Sequence, residues 1–404
     1  MHASEYQVLV YCPLDGGHHL NFSRLVATGF ARIGVRPTLA TTELAEQSRE
    51  LSKVPVPILR VPPLTSRSRV VALMQQVQVL KRLASERAWN RIVLPSGDGL
   101  LQALAMATSS GLRILPHGVP VEALALRGGV AYPASQLAKQ KRRASLRLME
   151  SAPVSHRHHL DPVFTDWVRV QPAPRCEWRL MPDPVETPTL LDRRSARNKL
   201  GIPTDGIVVG CVGTLDERKG VHLAIDAFQI ACLPRHAHLL LVGQCTPAIK
   251  AAVARLSARA EFAGRVHVRD EWVREDMMMA AIEAMDLIIA AYPGHVGSAS
   301  IVLRVMAGQR PILGSATPWM VRHLQGYRAG WLANVENRES FASDLVRAIS
   351  DAQGWRPSPS VSRLLAFNSR GNFMAHWTRA TAGELGISPL DEVALPPPVS
   401  PTSG

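Results

Sequence analysis

Short apolar runs of strand length alternate with helix-length segments along nearly the whole chain, and that alternation leaves few folds open. A parallel strand needs a long crossover to bring the chain back, so β-α-β alternation reads as a parallel sheet covered by helices. The first run is Val8–Pro13, followed by a segment with Phe22, Leu25, Val26, Gly29 and Phe30 at helical spacing. Thr38–Thr42, Ile92–Pro95 and Arg113–His117 are read as the next strands. Two prolines close together in Glu177–Pro184 interrupt regular structure and suit a hinge. A second alternation then begins. Its strands are read at Gly206–Gly213, His238–Gly243, Val266–Arg269, Leu287–Pro293 and Arg310–Gly314. Its helices are read at Gly220–Ala231, Thr246–Ala260 and Ser300–Ala307.

At roughly 100–200 residues per domain, 404 residues make two domains, residues 1–184 and 185–352. Hydrophobic residues at 46% and charged residues at 20% suit a globular protein rather than a disordered one. No apolar stretch reaches the roughly 18–20 residues of a membrane span, and the opening residues lack a basic-then-apolar leader, so a cytoplasmic protein is expected. Five scattered cysteines with no CxxC pair support neither structural zinc nor a disulfide framework. Lys+Arg 46 against Asp+Glu 33 gives a net charge of +13. That excess favours polyanionic partners, or reflects nothing beyond an arginine-rich composition. Nucleic acid is the weakest partner class, because aromatics are 5% and no helix-turn-helix, finger or RNP-like pattern occurs.

Two segments carry chemistry. Gly210-Cys211-Val212-Gly213-Thr214-Leu215-Asp216-Glu217-Arg218-Lys219-Gly220 runs from a buried strand through two cations into a helix. A loop at a strand's carboxyl end with Arg218 as a fork and Lys219 as a point charge can clamp a diphosphate; alone, it is equally a solvated basic turn. Tyr292-Pro293-Gly294-His295-Val296-Gly297-Ser298-Ala299-Ser300 then leads through Arg304 to Gly308-Gln309-Arg310-Pro311. Small residues before a helix offer open amides and a positive dipole end to phosphate; alone, this is an ordinary βα turn.

In this order, the two segments resemble the retaining family-4 glycosyltransferases of the GT-B fold, over roughly Asp205–Ala348. The resemblance includes the strand end Leu239–Gly243 and the stretch Met306-Ala307-Gly308-Gln309-Arg310-Pro311-Ile312. In the first half, Asp15-Gly16-Gly17-His18 is similar to the family's glycine-rich loop. Arg113–His117 is similar to its strand ending in a histidine, and Met181–Val185 to its interdomain hinge. The resemblance implies two doubly wound, Rossmann-like domains facing a cleft, the first binding acceptor and the second nucleotide-sugar. Residues 353–387 would be closing helices that return toward the first domain, followed by a Pro/Ser-rich disordered tail at 388–404. His117, Lys219 and Arg218 are the implied catalytic residues, His117 being equally readable as a structural histidine. Gly16, Gly17, Gly213, Thr214, Gly297, Ser298, Ala299, Ser300 and Arg304 are the implied donor-binding residues. No metal or cofactor is implied beyond the nucleotide-sugar donor, with UDP preferred to GDP on family frequency alone.

The chain departs from the family where it matters. The Glu-x7-Glu motif falls on Val296 and Arg304, and Thr214 stands where many members carry Arg. The second motif Glu accepts hydrogen bonds from the donor's ribose, which a guanidinium cannot do. The expected activity is therefore transfer of a sugar, with retention, to a cell-envelope, polysaccharide, other glycan or lipid-linked acceptor. The alternative is a catalytically inactive GT-B-like scaffold. His156-Arg157-His158-His159 is read as a histidine-rich loop. Ser135–Ala152, with Lys139, Lys141, Arg142, Arg143 and Arg147, is either a solvated helix face or a peripheral contact with an anionic inner-membrane face.

Overall fold

The computed structural model describes residues 2–14, 18–48, 51, 54–64, 66, 68–171, 175–186, 188–390 and 394–397. The chain divides into two compact units. The first comprises Met1–Pro184, Val296–Ser298 and Asn368–Ala394; the second comprises Val185–His295, Ala299–Phe367 and Leu395–Gly404.

The first unit holds seven strands: β1 Gln7–Tyr11, β2 Arg36–Thr42, β3 Ile58–Val61, β4 Arg91–Leu94, β5 Val121–Ala125, β6 His156–His159 and β7 Trp178–Leu180. They form one parallel sheet in the order β3-β2-β1-β4-β5-β6-β7. Alternate residues of β1 face two separate apolar layers. Val8 and Val10 join Phe22, Val26 and Phe30 of helix His18–Arg32, while Leu9 and Tyr11 join Leu100, Leu101 and Leu104 of helix Asp98–Ser109. Burial on both faces is why β1 reads as a continuous apolar run rather than an alternation.

Helix Arg370–Leu385 completes the first of these layers with Phe373, Met374 and Trp377. It lies so close to helix His18–Arg32 that a Cβ on Gly29 would stand 3.0 Å from the Met374 Cβ. The helix is also tied to the sheet by charge. Arg91 on β4 pairs with the buried Glu122 on β5 and with Glu384 on the helix, and Glu122 pairs with His158 Nε2 at 3.0 Å. The His158 ring stands edge-on to Trp377 at 4.8 Å.

The second unit holds β8 Ile207–Val212, β9 Ala237–Val242, β10 Val266–Arg269, β11 Leu287–Ala290, β12 Ile312–Ser315 and β13 Gly330–Ala333. These are also parallel, in the order β10-β9-β8-β11-β12-β13. Val209, Leu239, Leu241, Leu287 and Ile289 pack on helices Val221–Ile230 and Arg338–Ala352 through Ile225, Phe228, Phe341 and Leu345. Strand order reverses between β1 and β4 and between β8 and β11, the positions where open α/β sheets bind ligands beyond their carboxyl ends.

Several expectations need correction. Arg113–His117 is no strand: helix Asp98–Ser109 ends, and the chain crosses in an irregular segment to β5, where ladder pairing begins with Ile92 N–H donating to Pro120 O. Only Ile114 of that run is buried. His156–His159 is a strand, not a loop; His158 and His159 are buried, Glu122 accepting from His158 and the Asp161 amide donating to His159 Nδ1 at 3.0 Å, while His156 is half-buried. β7 lies inside the segment read as hinge. The closing helices divide: Pro359–Phe367 belongs to the second unit and Arg370–Leu385 to the first. In the tail read as disordered, Leu390 packs on the first unit's core, and Ala394 exchanges two hydrogen bonds with the Asn372 side chain.

Candidate functional site

The loop beyond the carboxyl end of β8 carries two adjacent cations, Arg218 and Lys219. Gly213 follows the strand at φ +103°, and a Cβ there would lie 2.9 Å from the Lys219 ammonium, so glycine leaves the space the ammonium occupies. The loop is pinned by Leu215, whose N–H donates to Gln244 O at 2.8 Å and whose carbonyl accepts from the Thr246 amide. Asp216 then caps the short turn Glu217–Lys219 by accepting from the Lys219 amide at 2.9 Å. This cap fixes the backbone of Lys219 and leaves its side chain to the site.

The ammonium of Lys219 has no ion-pair partner among the described residues, and it lies 6.0 Å from the centre of the Tyr292 ring. Burial pushes its pKa down to about 8, and Arg218 presses in the same direction. An anion would relieve both effects. Arg218 is exposed and reaches Asp216 at only 3.4 Å, and Thr214 is exposed on the same loop. Arg304, on helix Ser300–Ala307, adds a further positive charge felt by Lys219. It points to neither phosphate nor solvent alone: its Nε donates to Glu275 Oε1 at 3.0 Å.

The four small residues read as a phosphate-binding turn divide between the two units. Gly297 and Ser298 belong to the first unit. The Ser298 hydroxyl donates to Asp183 at 2.6 Å, and the Gly297 amide is directed at the Tyr132 hydroxyl, itself bonded to Asp161. Ala299 and Ser300 do open the helix of Arg304; Ala299 brings no side-chain cap, and of the first turn the Val302 amide donates to the Ala299 carbonyl at 2.8 Å, which leaves Ser300 and Ile301 uncapped by a side chain.

In the first unit, Gly16 and Gly17 lie outside the described residues. His117 lies four residues before β5, at the amino end of the sheet, and is exposed. That is the end opposite the one beyond which such sheets bind ligands. At that carboxyl end stand residues the motifs missed. His19 Nδ1 is 2.5 Å from the Ser96 hydroxyl beyond β4. Asp98 accepts from the amides of Leu126 and Arg127 beyond β5 at 2.9 and 3.1 Å. Burial holds His19 down at about 4, with His18 and Arg127 adding, so it is a neutral imidazole at neutral pH. Its adjacency to the glycine-rich loop was the available signal.

Among the described residues no three His, Cys, Asp or Glu side chains are grouped to hold a metal ion, and no helix is long and apolar enough to cross a membrane.

Two Rossmann-like domains of seven and six parallel strands, with a cationic loop at the second switch point, define the GT-B fold of glycosyltransferases. Residues 206–351 match the family described as glycosyl transferases group 1. No curated protein matches the chain in sequence. Among solved structures, sucrose-phosphate synthase from Thermosynechococcus elongatus superposes with a TM-score of 0.66 at 18% identity, covering 94% of this chain and 97% of that one. Anabaena HepE in complex with UDP and glucose gives 0.63 at 16% identity, covering 94% and 99%. WaaG, a glycosyltransferase involved in lipopolysaccharide biosynthesis, gives 0.60 at 17% identity, covering 96% and 97%.

Proposed function

We propose that the protein transfers a sugar, with retention and without a metal ion, from a nucleotide-diphosphate sugar to a glycan or lipid-linked acceptor of the cell envelope. One observation carries this reading: the Lys219 ammonium, partly buried against Gly213 at the carboxyl end of β8 and without a carboxylate partner among the described residues. As the glycosidic bond breaks, the bonding pair stays with the bridging oxygen and the leaving diphosphate gains one negative charge there. Lys219 and Arg218, with the open amides of the helix at Ser300, stabilise that charge more in the transition state than in the bound donor. The group 1 match over the same residues supports the reaction class. UDP as the nucleotide is supported by the UDP and UDP-glucose complexes of HepE, and an envelope acceptor by the likeness to WaaG. Neutral His18 and His19 in the first unit suit hydrogen bonding to sugar hydroxyls rather than proton transfer. Retention follows from front-face departure, in which no side-chain nucleophile takes part. The reading has the protein in the cytoplasm, with its basic helix Gln136–Glu150 against the anionic inner face of the membrane.

Isothermal titration tests the donor site. UDP is expected to bind in the micromolar to millimolar range, more tightly than GDP, and Lys219→Ala is expected to remove detectable binding. A second reading, a GT-B protein that binds without transferring, is favoured by Val296 and Arg304 in place of the motif carboxylates. Release of UDP from a panel of UDP-sugars separates the two: turnover supports the transferase, and tight binding with none supports the scaffold.

A further inference from the structure

The pair formed by Arg304 and Glu275 lies at the edge of the Lys219 site and has no role in the reading above. Glu275 opens helix Glu275–Ala284, which follows β10 and precedes β11, while Arg304 lies on the helix that follows β11. Arg304 is held well inside, at 19% side-chain exposure, and its charge acts on Lys219. Glu275 is the more open partner at 38%, and only its Oε1 has a hydrogen-bond partner among the described residues. A carboxylate so held and 38% exposed has lone pairs to spare. Its place in the first turn of a helix favours the negative charge. Three residues earlier, Trp272 leaves its side chain 67% exposed on the loop after β10, a flat surface on which a base can stack.

We propose that Glu275, fixed by Arg304, is the acceptor for the ribose hydroxyls of the donor nucleotide, so that the carboxylate missing from position 304 is supplied from the neighbouring helix. The inference rests on Lys219 marking the diphosphate. A nucleotide whose phosphates lie against Lys219 has its ribose next along the chain of atoms, and Glu275 opens the helix after β10 of the same sheet, paired with Arg304 on the helix after β11. A vicinal diol presents two donors, which the guanidinium of Arg304 cannot receive and the half-open carboxylate of Glu275 can.

The test compares pyrophosphate, UDP and 2′,3′-dideoxy-UDP on the full chain by calorimetry. The wild-type protein is expected to prefer UDP to its dideoxy analogue by about tenfold or more, the usual scale of a charge-assisted hydrogen bond. Glu275→Gln is expected to weaken UDP by a similar factor, shrink that preference, and leave pyrophosphate unchanged. The exchange E275R/R304E keeps the ion pair with the carboxylate on the other helix and is expected to recover much of the preference. Equal affinity of the wild type for UDP and dideoxy-UDP, with pyrophosphate still bound, overturns the role of Glu275 and leaves the diphosphate site standing. Failure of both pyrophosphate and UDP to bind overturns the Lys219 reading and this inference with it.

Discussion

Lys219 is a cation kept where it is poorly solvated, which makes its protonation a measurable handle. Its folded pKa of about 8 lies below the ordinary lysine value. Between those two values the unfolded chain holds a proton that the folded chain has lost, so this group makes stability rise with pH across that window. Nucleotide binding runs the other way, because it needs the ammonium. UDP affinity is expected to fall as pH rises above about 8, where the phosphates are already fully ionised, and titration between pH 7 and 9.5 checks this. Lys219→Arg is expected to flatten the profile, since a guanidinium keeps its proton throughout. Lys219 could be picked out from the chain's letters because residue type and loop position suffice for a phosphate cation. Glu275 could not: it is distant in sequence from every motif, and only the packing of two helices brings it to Arg304. His117 misled for the converse reason, since Ile114-Leu115-Pro116 looks like a strand end when nothing shows that the ladder starts at Pro120.

The strands legible in the sequence were the long buried β1, β2, β8 and β9 and, among the four-residue ones, β4, β10, β11 and β12. β3, β7 and β13 are three or four residues long and only partly buried, so they do not stand out from the segments around them. β6 carries His-Arg-His-His into the interior, which is tolerable only because Glu122 and Arg91 wait there, and no local signal announces such partners. That network supports a graded prediction. Arg91→Met leaves the buried Glu122 with His158 alone and is expected to cost about 3 kcal/mol, read as a lowered midpoint in calorimetry. Glu384→Gln removes a partner with 47% side-chain exposure and is expected to cost about 1 kcal/mol or less. Equal losses from the two would mean that the buried half of the network contributes no more than the open half.

For the molecule as a whole, the net charge of +13 is distributed, but helix Gln136–Glu150 concentrates part of it. Arg142 turns inward to the carbonyls of Gly129 and Tyr132, leaving Lys141, Arg143 and Arg147 exposed beside Leu137, itself 61% exposed. Co-flotation with anionic vesicles is expected at low salt and is expected to disappear near 1 M salt, where screening acts within about 3 Å. Replacing Lys139, Lys141, Arg143 and Arg147 with Ala is expected to weaken it by about a hundredfold, at about 1 kcal/mol per cation with partial compensation. Vesicle binding unchanged in that variant would assign the attraction to the rest of the surface.

Helix Arg370–Leu385, more than 180 residues beyond the end of β7, is a structural part of the first unit. A fragment cut at Pro184 would therefore bare Phe22 and Phe30 and strip Arg91 of one of its two carboxylates. Chimeras that graft a foreign amino-terminal half onto this chain must transplant the distant helix as well, or the hybrid inherits a seam lined with mismatched aromatics.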